Sequence, residues 1–280
     1  MTISFEELSD SYECIFFDAF GVLKSSAGIY DGVLDCLEAL KGRGKDIYVV
    51  TNDASKSPDA MMATYTPAGA APIFEVDEII TSGLLATEYL KNKVRSGHVA
   101  YLGKEASAHY IERAGLEAVP VGLELESLQP KALVLLDDEG FDWFEQINQA
   151  MNLVRSHNMP VIVANTDITY PSKAQEVGIA IGGLASLLEV ALGRQFTRFG
   201  KPDPMIFNYA FERARARRPS LEKKDVLMVG DTLSTDIHGG NKYGLDTALV
   251  LSGNTLASQY DSLMKAQGIV PNYVCESILT

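Results

Sequence analysis

Short apolar runs that stop abruptly at a polar residue recur along this chain, and they constrain its fold more than any other feature. Ile15, Phe16 and Phe17 end at Asp18, with Gly21 following where the chain must turn. Ile47 to Val50 end in Thr51-Asn52-Asp53, and Val226 to Val229 close on Gly230-Asp231-Thr232, with Asp236 a little beyond. Apolar, β-rich runs of this length are the pattern of strands buried on both faces of a parallel sheet, delivering polar groups to their C-terminal tips. Helical periods lie between them. Val33, Leu34, Leu37 and Leu40 recur at helical spacing from Asp31 to an exit at Gly42 and Gly44, and Ser57-Pro58 reads as the cap and first turn of the next helix. On the first run alone Asp18 reads equally well as a turn-capping residue; the other strand ends favour a site.

A second cycle of the same kind begins near Thr81. Val99 to Gly103, Ala132 to Leu136 and Val161 to Ala164 read as strands, the last two ending in Asp137-Asp138-Glu139 and Asn165-Thr166-Asp167. VVTND and VIVANTD echo one another without a fixed period, which indicates equivalent strands in two α/β units. Gly182-Gly183 precede another apolar period, Leu184, Leu187, Leu188 and Ala191, placed here at the return to the first unit. Gly200-Lys201-Pro202-Asp203-Pro204 reads as a loop and helix start. The helix carries Ile206, Phe207, Ala210 and Phe211 on one face and Arg213, Arg215, Arg217 and Arg218 at a solvated end. Ala248 to Leu251 reads as a further core strand. The expected fold is α/β, a doubly wound, Rossmann-like parallel-sheet core at 1–82 and 185–280 with an inserted α/β cap at 83–184.

Composition narrows the function classes. The 280 residues are 46% hydrophobic and 22% charged, the balance of a globular protein with a substantial core. A net charge of -13 repels polyphosphate and anionic lipid, so neither nucleic acid nor a membrane is expected as partner, and a small anionic substrate needs strong local positive charge. Cys14, Cys36 and Cys275 lack metal-ligand spacing and read as reduced small hydrophobes. With Glu6, Glu7 and Asp10 near the start and no apolar run of spanning length, the expectation is a cytoplasmic, unprocessed protein. His98, His109, His157 and His238 lack ligand spacing, and Trp143 with Phe141 and Phe144 reads as cap core.

Collected in order, Asp18 with Gly21-Val22-Leu23, Thr51-Asn52, Lys201 in GKPDP, and Asp231 with Asp236 in GDTLSTDI resemble the four motifs of the haloacid dehalogenase superfamily. The cap-like LLDDEGFDWF and VANTD segments, with GGLASLLEVALGR leading into GKPDP, resemble its class IIA branch of NagD-like sugar and nitrophenyl phosphatases. Each motif alone is weak; four in series, over nearly the whole chain, are specific.

The resemblance implies a Mg²⁺-dependent phosphatase acting on a small phosphorylated metabolite, with Asp18 as nucleophile forming an aspartyl-phosphate. Asp18, the backbone carbonyl of Phe20 and Asp231 match the family's metal ligands, with Asp236 orienting metal-bound water. Thr51, Asn52 and Asp53 would hold the phosphate, Lys201 would stabilise charge on Asp18 and the transferring group, and Tyr170 would face the substrate from the cap. A solvated loop lysine is the plainer reading of Lys201, which its GKP context reverses, and a Tyr-Pro turn explains Tyr170 as well. Pairing of two copies through the cap is the oligomer considered.

One position breaks the pattern. Relatives carry a second Asp two residues after the nucleophile, the general acid and base; this chain has Phe20. General acid–base help is worth roughly 10²–10⁴-fold. Its loss leaves three readings: a slow phosphatase, a catalytically impaired phosphate-binding or regulatory protein, or a dehalogenase-like hydrolase, whose halide leaving group needs no proton. Dehalogenases of that type do not need the metal and place the cap elsewhere, so retention of Asp231 and Asp236 favours phosphatase chemistry.

Overall fold

The computed structural model describes residues 2–122, 125–173 and 176–280. Six strands form a fully parallel sheet in the order Tyr273–Cys275, Asp246–Val250, Val226–Gly230, Cys14–Phe17, Asp46–Thr51 and Ile79–Thr81. The strand Cys14–Phe17 is central and completely buried, as its unbroken apolar sequence requires when helices cover both faces. Its register pairs Phe17 with Val229 on one side and with Val49 on the other. Asp18, Asp231 and Thr51 therefore emerge together at the C-terminal edge. The chain leaves the central strand in one direction and returns on its other side, so this edge opens at a topological switch point, where open α/β sheets form ligand crevices.

Helices follow the expected periods. Val33–Gly42 packs Val33, Leu37 and Leu40 inward, but it begins at Gly32, with φ of 86° and no side-chain cap, so Asp31 does not cap it. Ser57 caps Pro58–Thr64 by accepting from the Ala60 N–H, and Asp203 caps Pro204–Arg217 by accepting from that of Met205. The arginines ending the latter helix are not simply solvated. Arg217 pairs with Glu75, Asp77 and Glu78, and Arg218 with Glu13 and Asp46, tying the helix end to the edges of neighbouring strands.

A second parallel sheet has the order Thr197–Arg198, Val161–Val163, Leu133–Leu135, His98–Leu102 and Glu117–Pro120. Its Leu133, Leu135, Val161 and Val163 pack against Ile181, Leu184, Ala185 and Leu188 of the helix Ile181–Leu192. The expected return to the first unit at 185 falls inside this helix, and the chain leaves the second sheet only after Arg198. The apolar period of the helix was read correctly; periodicity does not say which of two sheets a helix covers. A single hydrophobic cluster, from Tyr48 and Val50 through Leu84 and Leu90 to Val99 and Val134, joins the two sheets.

Two antiparallel hairpins bridge them on the crevice side. Lys24–Ser25 with Gly28–Ile29 follows the central strand, Thr169–Lys173 with Glu176–Ile179 follows the second sheet, and the Ser26 hydroxyl donates to the Ser172 carbonyl. Trp143 and Phe144 are not core: Phe144 is 85% exposed, while Trp143 keeps one edge on the protein, donating Nε1–H to the Asp138 carbonyl at 2.8 Å. Only Phe141 of that aromatic trio packs against the second sheet's cluster. None of the helices among the described residues is long and apolar enough to cross a membrane.

Candidate active site

The crevice is built on carboxylates delivered by the strand tips. Asp18 follows the central strand, its N–H donating to the Val229 carbonyl at 2.9 Å. Asp231 follows the adjacent strand, and Asp236 lies one turn further on, accepting from the Thr232 N–H at 3.0 Å. The three offer oxygens within 4.8 Å of one another. Glycine makes the approach feasible. Gly21 has φ of 79°, and a Cβ there would stand 1.9 Å from Asp231 Oδ2, so any side chain would expel the carboxylate.

Lys201 is the only cation inside this group among the described residues. It is 1% exposed, and its Nζ lies 2.6 Å from Asp18 Oδ1 and 2.6 Å from Asp236 Oδ1. Burial works against the ammonium, but Asp18 and Asp236 outweigh it and lift its pKa above the ordinary value, so it stays charged. One ammonium cannot neutralise three carboxylates. Burial, partly opposed by Lys201 and reinforced by Asp236, pushes Asp18 up to about 6. Burial, then Asp236 and Asp18, raise Asp231 well above the carboxylate range. Asp231 already accepts from the Asn254 N–H and the Thr232 hydroxyl, and its pKa is raised even so. Such an all-oxygen, electron-rich cluster fits a hard divalent cation.

The Thr51-Asn52-Asp53 tip closes one side. Asn52 is 1% exposed, and its side chain is a junction: Oδ1 accepts from the Lys201 N–H at 2.7 Å, while Nδ2 donates to Asp167 Oδ1 at 2.8 Å and to the Thr166 hydroxyl at 2.9 Å. It thus fixes Lys201 and couples the first sheet to the loop after Val161–Val163. Thr51 Oγ1 accepts from the Asp53 N–H at 3.1 Å. Asp53 is anchored by the N–H and hydroxyl of Ser55 and by Lys24, whose Nζ lies 3.2 Å away.

Above these groups lies a cavity of about 200 Å³ lined by Asp18, Phe20, Thr51, Asp53, Asp137 and Tyr170, among others. Tyr170 meets Phe20 edge to face, ring centroids 6.2 Å apart, and it lies within a strand of the hairpin, not in a turn. All nine residues expected at the site therefore fall in one region.

Two family descriptions match the sequence, "Haloacid dehalogenase-like hydrolase" over residues 15–117 and "HAD-hydrolase-like" over residues 198–280. A crystal structure described as a possible sugar phosphatase of the HAD superfamily from Cytophaga hutchinsonii superposes with a TM-score of 0.93 at 48% identity, covering 100% of this chain and 99% of that one. The chain belongs to the haloacid dehalogenase superfamily. Within it the chain falls in the NagD-like class IIA branch, and it is an enzyme of the phosphoric monoester hydrolase type. Mouse chronophin is 28% identical over 271 residues, 94% of this chain and 90% of that protein. A glycerol phosphate phosphatase from Mycobacterium tuberculosis, solved with magnesium, is 25% identical with a TM-score of 0.75, covering 99% of this chain and 78% of that one.

Site residues that sequence reasoning did not single out in this haloacid dehalogenase member come mostly from the cap. Asp167 carries a pKa pushed up to about 6 by burial, against the influence of Lys201. Asp137 is pushed up to about 7 by burial, with Lys104 Nζ 3.8 Å away. Their signal was present as polar strand tips; what sequence lacked was evidence that the second set of tips faces the first. Lys24 had no signal at all.

Proposed function

We propose that the chain is a Mg²⁺-dependent phosphatase that hydrolyses a small phosphate monoester, a sugar phosphate or similar, through an aspartyl-phosphate on Asp18. The observation that carries this reading is the buried Lys201 bridging Asp18 and Asp236 beside Asp231 at adjacent strand tips. Asp18, Asp231 and the Phe20 carbonyl would hold the ion, with Asp236 steering its water. When bound, Mg²⁺ offsets the negative charge of the carboxylates and the phosphoryl group.

The chain's own residues account for the remaining steps. Lys201 holds Asp18 through one oxygen, orienting the carboxylate, and neutralises part of the charge on the transferring group. Thr51 and the Asn52 backbone bind the phosphoryl oxygens, and Asp53 fixes their loop. An Asp18 oxygen attacks phosphorus as the ester P–O bond breaks, and the leaving oxygen takes the electron pair. Water then attacks the same phosphorus, which restores the Asp18 carboxylate and releases inorganic phosphate. Phe20 supplies a proton in neither step, so turnover is slow for esters of weakly acidic alcohols.

Tyr170 and the cap tips select the organic part of a small phosphorylated metabolite, and the cavity of about 200 Å³ limits its size. The exposed Phe144, Leu187 and Val190 on the helices Trp143–Ser156 and Ile181–Leu192 suit pairing of two copies through the cap. The test of function is hydrolysis of p-nitrophenyl phosphate and a panel of sugar phosphates with and without Mg²⁺. Release of phosphate only with the metal is expected; tight phosphate binding without any release would favour a binding protein.

A further inference from the structure

The cavity above Asp18 has two chemically different ends. Asp18, Thr51 and Asp53 line it from the core strand tips, and Lys104, Asp137, Asp138 and Glu139 line it from the cap strand tips. Lys104 is the only lysine or arginine on the cavity wall. Most of the lining carboxylates already have a partner: Asp18 has Lys201 at 2.6 Å, Asp53 has Lys24 at 3.2 Å, Glu139 has Lys104 at 2.6 Å, and Asp167 accepts from the Asn52 amide. Asp137 and Asp138 are left over. They are 8% and 9% exposed, and among the described residues no ammonium or guanidinium lies within hydrogen-bond distance of either. Lys104 Nζ stands 3.8 Å from Asp137 Oδ2, beyond hydrogen-bond reach.

The cap tip that carries these two carboxylates is firmly seated. The Leu136 N–H donates to the Leu102 carbonyl at 2.9 Å, and a Cβ on Gly140 would stand 2.7 Å from the Lys104 Cα, so the loop lies tightly against the neighbouring strand end. Asp137 Oδ1 accepts from the Asp138 N–H at 2.9 Å. Its other oxygen, Oδ2, is buried and has no hydrogen-bond donor among the described residues, although Asp137 lines the cavity. A buried carboxylate oxygen left unpaired is costly, and a cation entering the cavity removes that cost. Burial pushes Asp137 up to about 7 and Asp138 up to about 6, the sign of a tip short of positive charge. Asp53 is near enough for its charge to raise Asp137 further, so one small molecule can reach both ends.

We propose that the cap tip is a cation subsite in which Asp137, with Asp138 beside it, binds an ammonium group on the organic part of the ester. The subsite rests on the phosphatase reading above and names its substrate class: phosphate monoesters that carry an amine, with carboxylated esters rejected. An ammonium brings three donors, of which Asp137 Oδ2 takes one. A charge-assisted hydrogen bond of this kind in a partly desolvated site is worth about 10- to 100-fold in kcat/KM over a neutral group. A carboxylate in the same place meets Asp137 and Asp138 with like charge, and the one nearby cation, Lys104, is already engaged by Glu139.

The test uses three phenyl phosphates that differ only in a para aminomethyl, hydroxymethyl or carboxymethyl group, whose methylene spacer keeps the leaving-group pKa nearly constant. With Mg²⁺ at neutral pH, kcat/KM of the native protein should favour the aminomethyl ester over the hydroxymethyl ester about 10- to 100-fold, with the carboxymethyl ester poorest. Asp137→Asn and Asp138→Asn, with folding checked by circular dichroism, should each bring the aminomethyl-to-hydroxymethyl ratio towards one. Equal values for the three esters in the native protein, a preference for the carboxymethyl ester, or a ratio unchanged in both variants overturns the subsite; continued cleavage of p-nitrophenyl phosphate then leaves the phosphatase reading intact. A native protein that cleaves no ester overturns both.

Discussion

Replacing Phe20 by aspartate probes the chemistry most sharply, because it restores the carboxyl group that relatives carry at this position. A positioned general acid is worth roughly 10²–10⁴-fold. The structure reduces that figure for this chain. The new carboxylate would stand close to Lys24, whose Nζ now lies 4.2 Å from the ring centroid, and the ammonium would favour its ionised form, leaving less acid to donate at neutral pH. Tyr170 would also lose its edge-to-face partner. The expected gain in kcat on alkyl phosphates is therefore about tenfold or more, at the low end of the general-acid range, while aryl phosphates gain only through faster hydrolysis of the phosphoryl-enzyme, and their initial burst shrinks. Lost ring packing costs about 1–2 kcal/mol of stability. Steady-state rates on both ester classes, in both proteins, measure the effect. Equal native rates on aryl and alkyl esters, together with no gain on substitution, would refute the reasoning.

Other perturbations have equally definite outcomes. Lys201→Met leaves Asp18 and Asp236 buried without their cation and should cost about 3–5 kcal/mol of metal-free stability as well as activity, read from urea unfolding; a neutral effect on stability would contradict the buried bridge. Asp137 has a folded pKa of about 7, raised by burial from 3.8, so its unfavourable contribution is absent below about pH 4, grows as pH rises to 7 and is complete above it. Asp137→Asn should accordingly stabilise the protein by about 2–4 kcal/mol at pH 8 and by almost nothing at pH 4, and a pH-independent change would refute the assignment. Phe144→Glu should shift any solution dimer to monomer in light scattering without altering the fold; an unchanged mass would remove the cap face as the interface.

Much of the fold was legible because burial on both faces writes itself into sequence. The runs at Ile15, Ile47, Val99, Leu133, Val161, Val226 and Ala248 are strands, and the polar tips after Phe17, Val50, Leu136 and Ala164 line the crevice. Ile79–Thr81 and Tyr273–Cys275 were missed because three residues carry no period, and Glu117–Pro120 because its exposed ends mask the alternation. The boundary at 185 falls inside the helix Ile181–Leu192, which packs on the second sheet, because an apolar period does not say which sheet a helix covers. Trp143 and Phe144 misled because aromatic residues read as core whether or not they face it. Lys24 was illegible for a different reason: its place over Phe20 comes from a tight loop and an ion pair to Asp53, 29 residues away in sequence.

Acid-quenched reaction with p-nitrophenyl phosphate in the presence of Mg²⁺ tests the role of Asp18 as nucleophile most directly. Without a group to activate water, the phosphoryl-enzyme should accumulate, giving an initial burst of nitrophenol and a phosphoryl adduct on the peptide that contains Asp18. Asp18→Asn should abolish burst, adduct and turnover together. An adduct on another residue, or turnover retained by Asp18→Asn in a clean preparation, would contradict the account.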